Sequence, residues 1–278
     1  MTTSEPATGH TGAASFSPVS RTALAVARVR ARESERPDAL FTDPYAAAFL
    51  TAAGYPAEPA VRPGPYATAI AHHTVIRTRF YDDFLLAASA AGCRQTVLLA
   101  AGLDTRAHRL AWPEGVRLFE LDLPPVLAFK EDVLAGRAAR PRCARTAVPA
   151  DLLSPEWPGL LIETGFDPAV RTAWLAEGLL VYLTEEQATG LLLALGGLSR
   201  PGDRLALERG RDLPPADAEP GLAHIAPLWL GGLGPGLGDW LGAHGWDVAT
   251  HPIEELSAAY GRPGTGPARG GFHSATRR

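Results

Sequence analysis

The spacing of apolar and polar positions changes rhythm once along this chain, near residue 93. Before that point the pattern is helical. "SRTALAVARVRARES" mixes small apolar residues with arginines, and "LFTDPYAAAFL" carries an Asp-Pro helix start. "TAAGYPAEPAVRPGPYA" is a Pro- and Gly-rich connection, and "TAIAHHTVIRTRFYDDFLLAASA" predicts a long amphipathic helix. No strand is expected in this third. Residues 1–17 are small and polar, a composition expected to stay disordered.

Beyond residue 93 short apolar runs alternate with helix-like segments. "QTVLLAAG", "VRLFELD", "RTAVPAD", "AWLAEGLLVY", "DRLALERG", "DVATHP" and "GFHSATR" have the length and composition of strands. "DTRAHRL", "PPVLAFKEDVLA", "PEWPGLLIETG", "TEEQATGLLLALGGL", "LGDWLGAHGW" and "IEELSAAYG" separate them as helices. Seven strands alternating with helices predict an α/β, doubly wound sheet behind a helical cap at 18–92. Two of the last three strands, short and mixed in pattern, are expected to form a hairpin at one edge. "DLPPADAEPGLAHIAPLWLGGLGPG" breaks the rhythm, so 211–236 reads either as a lid or as a packed surface excursion.

Composition narrows the function classes. The formal net charge of −4 and pI near 6.1 argue against a broad basic surface for nucleic acid. No apolar run approaches the roughly 18 residues that would span a membrane, and the first residues lack a secretory pattern. A cytoplasmic protein with no nucleic-acid or membrane partner is expected. Cys93 and Cys143 have no short Cys/His spacing around them, which argues against a disulfide scaffold or a zinc site.

The candidate chemistry sits in "TVLLAAGLDTRAHRL". In an open α/β sheet ligands bind at the carboxyl ends of strands, so the first turn marks a pocket, and Gly102 lets a ligand approach the backbone. A dinucleotide site wants three glycines facing a pyrophosphate; here Leu103 and Asp104 follow Gly102, and Asp104 would repel a phosphate. The second strand ends in Asp122, roughly twenty residues after Gly102, the spacing at which an acid meets a ribose diol. An adenosine-bearing ligand without phosphates satisfies both observations, and S-adenosylmethionine is the candidate.

With these residues in place, the chain resembles the leucine carboxyl methyltransferase-like family of S-adenosylmethionine-dependent methyltransferases, its actinobacterial branch in particular. The matching stretches include "TALAVARVRARESERPDALFTDPYAAAFL", "IRTRFYDDFL", "LLAAGLDTRAHRLAW", "FELDLPPVLAFK", "VPADLL" and "AEGLLVYLTEEQ". The resemblance implies a class I methyltransferase (Rossmann-like) fold with S-adenosyl-L-methionine as cofactor. It implies that Arg77 binds the methionine carboxylate and that Ala101 and Gly102 lie against the methionine part. It likewise implies Asp122 for the ribose, Asp151 and Leu152 for the adenine, and Glu177 beside the amino group. A basic residue of the first helix also reaches the cofactor, Arg30 in preference to Arg32. Ala100 stands where the family often has glycine, which crowds the turn.

Structural alternatives stand beside each role. Asp122 could cap the helix opening with "PPVLAFK", and Asp151 the helix near Ser154. Glu177, a charge inside a predicted strand, could serve an ion pair, and Arg77 could pair with Asp82 or Asp83 along its helix. Arg106 and Arg109 read as supporting or surface residues. Tyr182, after the fourth strand, is a candidate to orient substrate or a core tyrosine. His72, His73, His224 and Trp229 are weaker candidates for the pocket, and paired histidines on a helix are usually solvated. A carboxylate acceptor is ionised at neutral pH and needs no base, whereas a phenol or alcohol would need one, such as Tyr182 or a histidine. The expected function is methylation of a carboxylate of a small metabolite or of a peptide or protein C-terminus. The alternatives are a non-catalytic binder of the cofactor and a nicotinamide-dependent oxidoreductase on the same sheet.

Overall fold

The computed structural model describes residues 16–58, 63–208, 225–264 and 270–278. Three helices come first: α1 (Pro18–Ser34), α2 (Ala46–Ala52) and α3 (Pro65–Ala90). Then follow β1 (Gln95–Leu99), α4 (Arg106–Arg109), β2 (Arg117–Asp122), α5 (Pro124–Gly136), β3 (Ala144–Pro149), α6 (Trp157–Glu163) and β4 (Thr172–Ala176). The chain continues with α7 (Glu185–Leu198), β5 (Arg204–Glu208), α8 (Leu237–Ala243), β6 (Trp246–Pro252), α9 (Ile253–Ala259) and β7 (Gly271–Arg277).

The seven strands form one sheet in the order β3-β2-β1-β4-β5-β7-β6. β1 to β5 pair in parallel, while β7 runs antiparallel to both β5 and β6. The edge is antiparallel, but it is not the expected hairpin, because α9 lies between β6 and β7. Winding reverses between β1 and β4, so the carboxyl ends of these central strands open into a crevice.

Both sheet faces are covered, which is why β1 and β4 are buried at every position and read as unbroken apolar runs. Val97 and Leu99 face one core with Trp174, Leu191 and Leu195, while Leu98 faces the other with Ile76, Phe80 and Leu85 of α3. α3 is thus a face helix of the sheet as much as part of a cap. α1 and α2 pack on α5 and the first turn through Leu24, Phe49, Leu103 and Phe129, roofing the carboxyl ends of β1 and β2.

Several boundaries differ from the sequence expectation. Residues 1–15 lie outside the described residues, but Phe16 and Ser17 are ordered. Phe16 is buried and packs edge-on against Phe129 at 5.2 Å, and the Ser17 hydroxyl caps α1 by accepting from the Ser20 amide. The Asp-Pro start is a turn: Asp43 accepts from the amides of Tyr45 and Ala46, and α2 opens after it. β4 stops at Ala176, and Leu180–Tyr182 form a single 3-10 turn, so Glu177 follows the strand and does not lie within it. No helix of the described residues is long and apolar enough to cross a membrane.

Candidate active site

The turn after β1 is built by backbone geometry that the sequence only half supports. Ala100 and Gly102 both adopt left-handed conformations, with φ of +51° and +50°. Glycine takes that conformation freely and alanine pays for it, which is the physical meaning of the crowding expected at position 100. A Cβ at Gly102 would meet α1 at van der Waals distance, 3.4 Å from the Ala23 methyl, so backbone conformation and not space is what favours glycine there. Asp122 holds the turn from the neighbouring strand. Its Oδ2 accepts from the Gly102 amide at 2.6 Å and its Oδ1 from the Leu123 amide at 2.7 Å. Burial raises the Asp122 pKa, an effect these two amides only partly oppose. The α5 N-cap is Leu123, with no side-chain capping bond, so Asp122 is not the helix cap that was its alternative reading.

Behind the turn lies a chain of ion pairs joining α3, the turn and the ends of β4 and β5. Arg77 Nε donates to Glu177 Oε1 at 2.9 Å, and its Nη1 donates to Glu208 Oε1 at 2.6 Å. Glu208 Oε2 accepts from the Gly178 amide. Arg106 donates to Glu177 Oε2 at 2.7 Å, to Asp82 Oδ1 at 2.7 Å, to Asp104 Oδ2 and to the Thr78 carbonyl. Arg109 grips Asp82 with two bonds of 2.6 Å. Arg106 and Arg109 are therefore buried connectors, not surface residues, their side chains 2% and 5% exposed. Arg77 does not pair along its own helix; Arg79 does, with Asp83 at 2.9 Å.

These pairs fix the ionisation of the acids. Burial alone would raise Glu177, but Arg106 and then Arg77 outweigh it and its pKa is lowered. Asp104 is likewise buried, yet Arg106 leads the nearby cations that hold it at about 2.

The crevice over β1, β2 and β4 contains a cavity of about 420 Å³, within the size range of small-molecule sites. Arg77, Ala101, Gly102, Asp122, Asp151, Leu152, Glu177 and Tyr182 all line it. So does Arg30, which is buried and donates to Asp43 and the Leu103 carbonyl, whereas Arg32 is half exposed beside Glu58. Asp151 accepts from the Leu153 amide at 2.9 Å in a local turn, and α6 begins only at Trp157. His73 is buried against Phe272, and His72, partly buried, bonds Ser257; His73 and Trp229 line a second, adjoining cavity. His224 and residues 211–224 of the expected lid lie outside the described residues.

Sequence reasoning overlooked Glu208, although it carries the signal that marked Asp122: an acid closing an apolar strand. It left Arg106 outside the site because its partners come from three separate parts of the chain.

The family model for leucine carboxyl methyltransferase matches residues 23–196. The chain belongs to the leucine carboxyl methyltransferase family. A provisionally named S-adenosyl-L-methionine-dependent methyltransferase of Frankia alni is 52% identical over 266 residues, covering 94% of this chain and 95% of that protein. Two solved structures share the fold of this methyltransferase. One, a provisionally named methyltransferase of Thermobifida fusca, has a TM-score of 0.54 at 19% identity, covering 91% of this chain and 94% of that one. The other is the Synechocystis magnesium protoporphyrin IX methyltransferase with bound SAH, with a TM-score of 0.50 at 15% identity, covering 79% and 90%. Membership places this methyltransferase among the S-adenosylmethionine-dependent enzymes with the class I sheet.

The cavity's own chemistry fits that donor. Asp104, Asp122 and Glu177 line it, and its two arginines are already neutralised, Arg30 by Asp43 and Arg77 by Glu177 and Glu208. Asp104 and Glu177 are in turn paired with Arg106, which leaves Asp122, held only by amides, as the carboxylate that suits a cationic sulfonium and disfavours a pyrophosphate beside Gly102. The amide of Arg106, at the start of α4, is occupied by Asp104 Oδ1 at 2.7 Å, so it does not face the cavity as a phosphate donor.

Proposed function

We propose that this methyltransferase methylates a carboxylate oxygen of a small organic acid or of a peptide C-terminus. The supporting observation is that every carboxylate lining the cavity already accepts a hydrogen bond. Asp104 accepts from Arg106, Asp122 from two amides, Asp151 from Leu153, and Glu177 from two arginines. Arg106 and Arg77 lower the pKa of Glu177, and Arg106 that of Asp104, which makes both weak bases, while the free lone pairs of Asp122 serve the ribose diol; that suits an acceptor already ionised at neutral pH.

The residues divide the donor between them. Asp122 has four lone-pair positions, and its two amide partners leave one on each oxygen for the ribose diol. Arg77 Nη2 has no hydrogen-bond partner among the described residues and receives the methionine carboxylate. Glu177, kept ionised by its arginines, lies beside the amino group, with Ala101 and Gly102 along the methionine chain. Asp151 and Leu152 border the adenine. Bound there, S-adenosylmethionine supplies an electrophilic methyl: a C–O bond forms as the C–S bond breaks, and the electron pair leaves on sulfur. The protein's part is alignment of the acceptor opposite that sulfur, a contribution worth up to roughly 7–11 kcal/mol in favourable cases.

One observation favours a second reading. His73 lies in the adjoining cavity and could serve as base for a phenol or alcohol. Incubation with methyl-labelled donor and a panel of acids separates the two. Labelled methanol released by alkali marks a methyl ester, the expected product. Transfer to phenols alone overturns the carboxylate reading, and tight donor binding with no product across both panels favours a non-catalytic binder.

A further inference from the structure

Beside the donor cavity lies a second of about 140 Å³, and the two share walls at Thr22, Val26, Arg77, Gly178 and Tyr182. We propose that this annex receives the acceptor, and that the acceptor is a small free carboxylic acid whose apolar body is one ring or a short branched alkyl group. The proposal rests on the carboxylate reading and narrows it.

Size and lining carry the first part. Ile70, Leu180, Val181, Trp229, Leu233 and Leu237 form the apolar sides. A cavity of about 150 Å³ holds one benzene ring, so by volume the annex, apolar on these sides and polar at Thr74, His73 and Tyr182, suits a body of that size. Tyr182 stands where the annex meets the donor cavity, the end at which a carboxylate would lie, while Arg77 beside it is committed to Glu177, Glu208 and the donor. Glu208, also in the annex wall, is spent on Arg77 and the Gly178 amide and does not present an unpaired charge.

The wall carrying Trp229 and Leu233 is fastened, not loose. The amides of Leu230 and Gly231 donate to the Val181 carbonyl at 2.7 and 3.1 Å, and that of Gly232 donates to Leu183 at 2.9 Å. Gly232 has φ of +54°, and a Cβ there would stand 2.6 Å from the Leu180 carbonyl oxygen. Only glycine permits that approach, so the annex is a shaped feature of the fold. The turn after β4 and the end of β5 form a second side, and α1 and α3 a third, presenting Ala25, Val26, Ile70 and His73 from helix interiors whose main-chain groups are bonded within the helices. Those two helices offer no strand edge or free amide row to an extended peptide. A free acid needs none.

The test uses the full chain with benzoate, 3-methylbutanoate, 2-naphthoate and a short peptide bearing a free C-terminus, with donor affinity measured by calorimetry. Benzoate or 3-methylbutanoate should exceed the peptide in kcat/KM. Ile70→Phe, which fills the annex from outside the donor cavity, should lower kcat/KM for the small acid by about 10–200-fold while leaving donor affinity within about twofold. Trp229→Ala should raise kcat/KM for 2-naphthoate. A peptide used as well as the small acids, or an Ile70→Phe enzyme of undiminished kcat/KM, overturns the proposal. If Ile70→Phe also weakens donor binding, Trp229→Ala decides: a gain for 2-naphthoate supports the annex and no gain overturns it. If only phenols are methylated, the carboxylate reading falls, and the annex stands or falls on the same Ile70→Phe loss measured with a phenol.

Discussion

Ala100 shows how one side chain can sit against its backbone. Its left-handed conformation costs a non-glycine residue roughly 1–2 kcal/mol, part of which glycine would return as unfolded-state entropy. Ala100→Gly should therefore stabilise the fold by up to about 1 kcal/mol in urea denaturation. A loss of stability would contradict the turn geometry. Glu177 stands out in the sequence because a charge inside an apparent strand needs a partner, and Asp122 because an acid closing an apolar run needs a reason. Glu208 obeyed the same rule and was passed over. Arg106 was not legible: its buried partners stand 24, 2 and 71 residues away, and no local pattern links them.

Arg106 joins α3, the turn after β1 and the end of β4, so its effect belongs to the elements it ties together. Removing one partner of a buried ion network strands the others without compensation. Arg106→Met should cost about 3–5 kcal/mol, whereas Arg32→Met, which breaks an exposed pair with Glu58, should cost less than about 1 kcal/mol. Equal costs in denaturant titration would mean that the network contributes nothing to holding these elements. The helices and strands themselves were readable from apolar spacing. Their ends were less so, as at "AEGLLVY", where apolar residues continue past the last ladder bond and only the fold shows the strand stopping at Ala176. The same holds for Phe16: a lone aromatic in a polar stretch gave no sign that Phe129 would cover it.

For the molecule as a whole, sheet order decides where chemistry can occur. The reversal between β1 and β4 opens the crevice, α1 and α2 roof it, and the 225–237 wall sets the neighbouring annex. Alternation of strands and helices predicted the sheet, and a turn with Asp104 in place of further glycines predicted a donor without phosphates. The acceptor's surroundings were not readable, because the annex draws its walls from α1, α3, the turn after β4 and the segment before α8. A crystal structure of the full chain with S-adenosylhomocysteine tests the account of the donor site. Both ribose hydroxyls should lie within hydrogen-bond distance of Asp122, with the amino-acid carboxylate on Arg77. A nucleoside bound away from Asp122, or a dinucleotide phosphate settling beside Gly102 in a parallel soak, would contradict it.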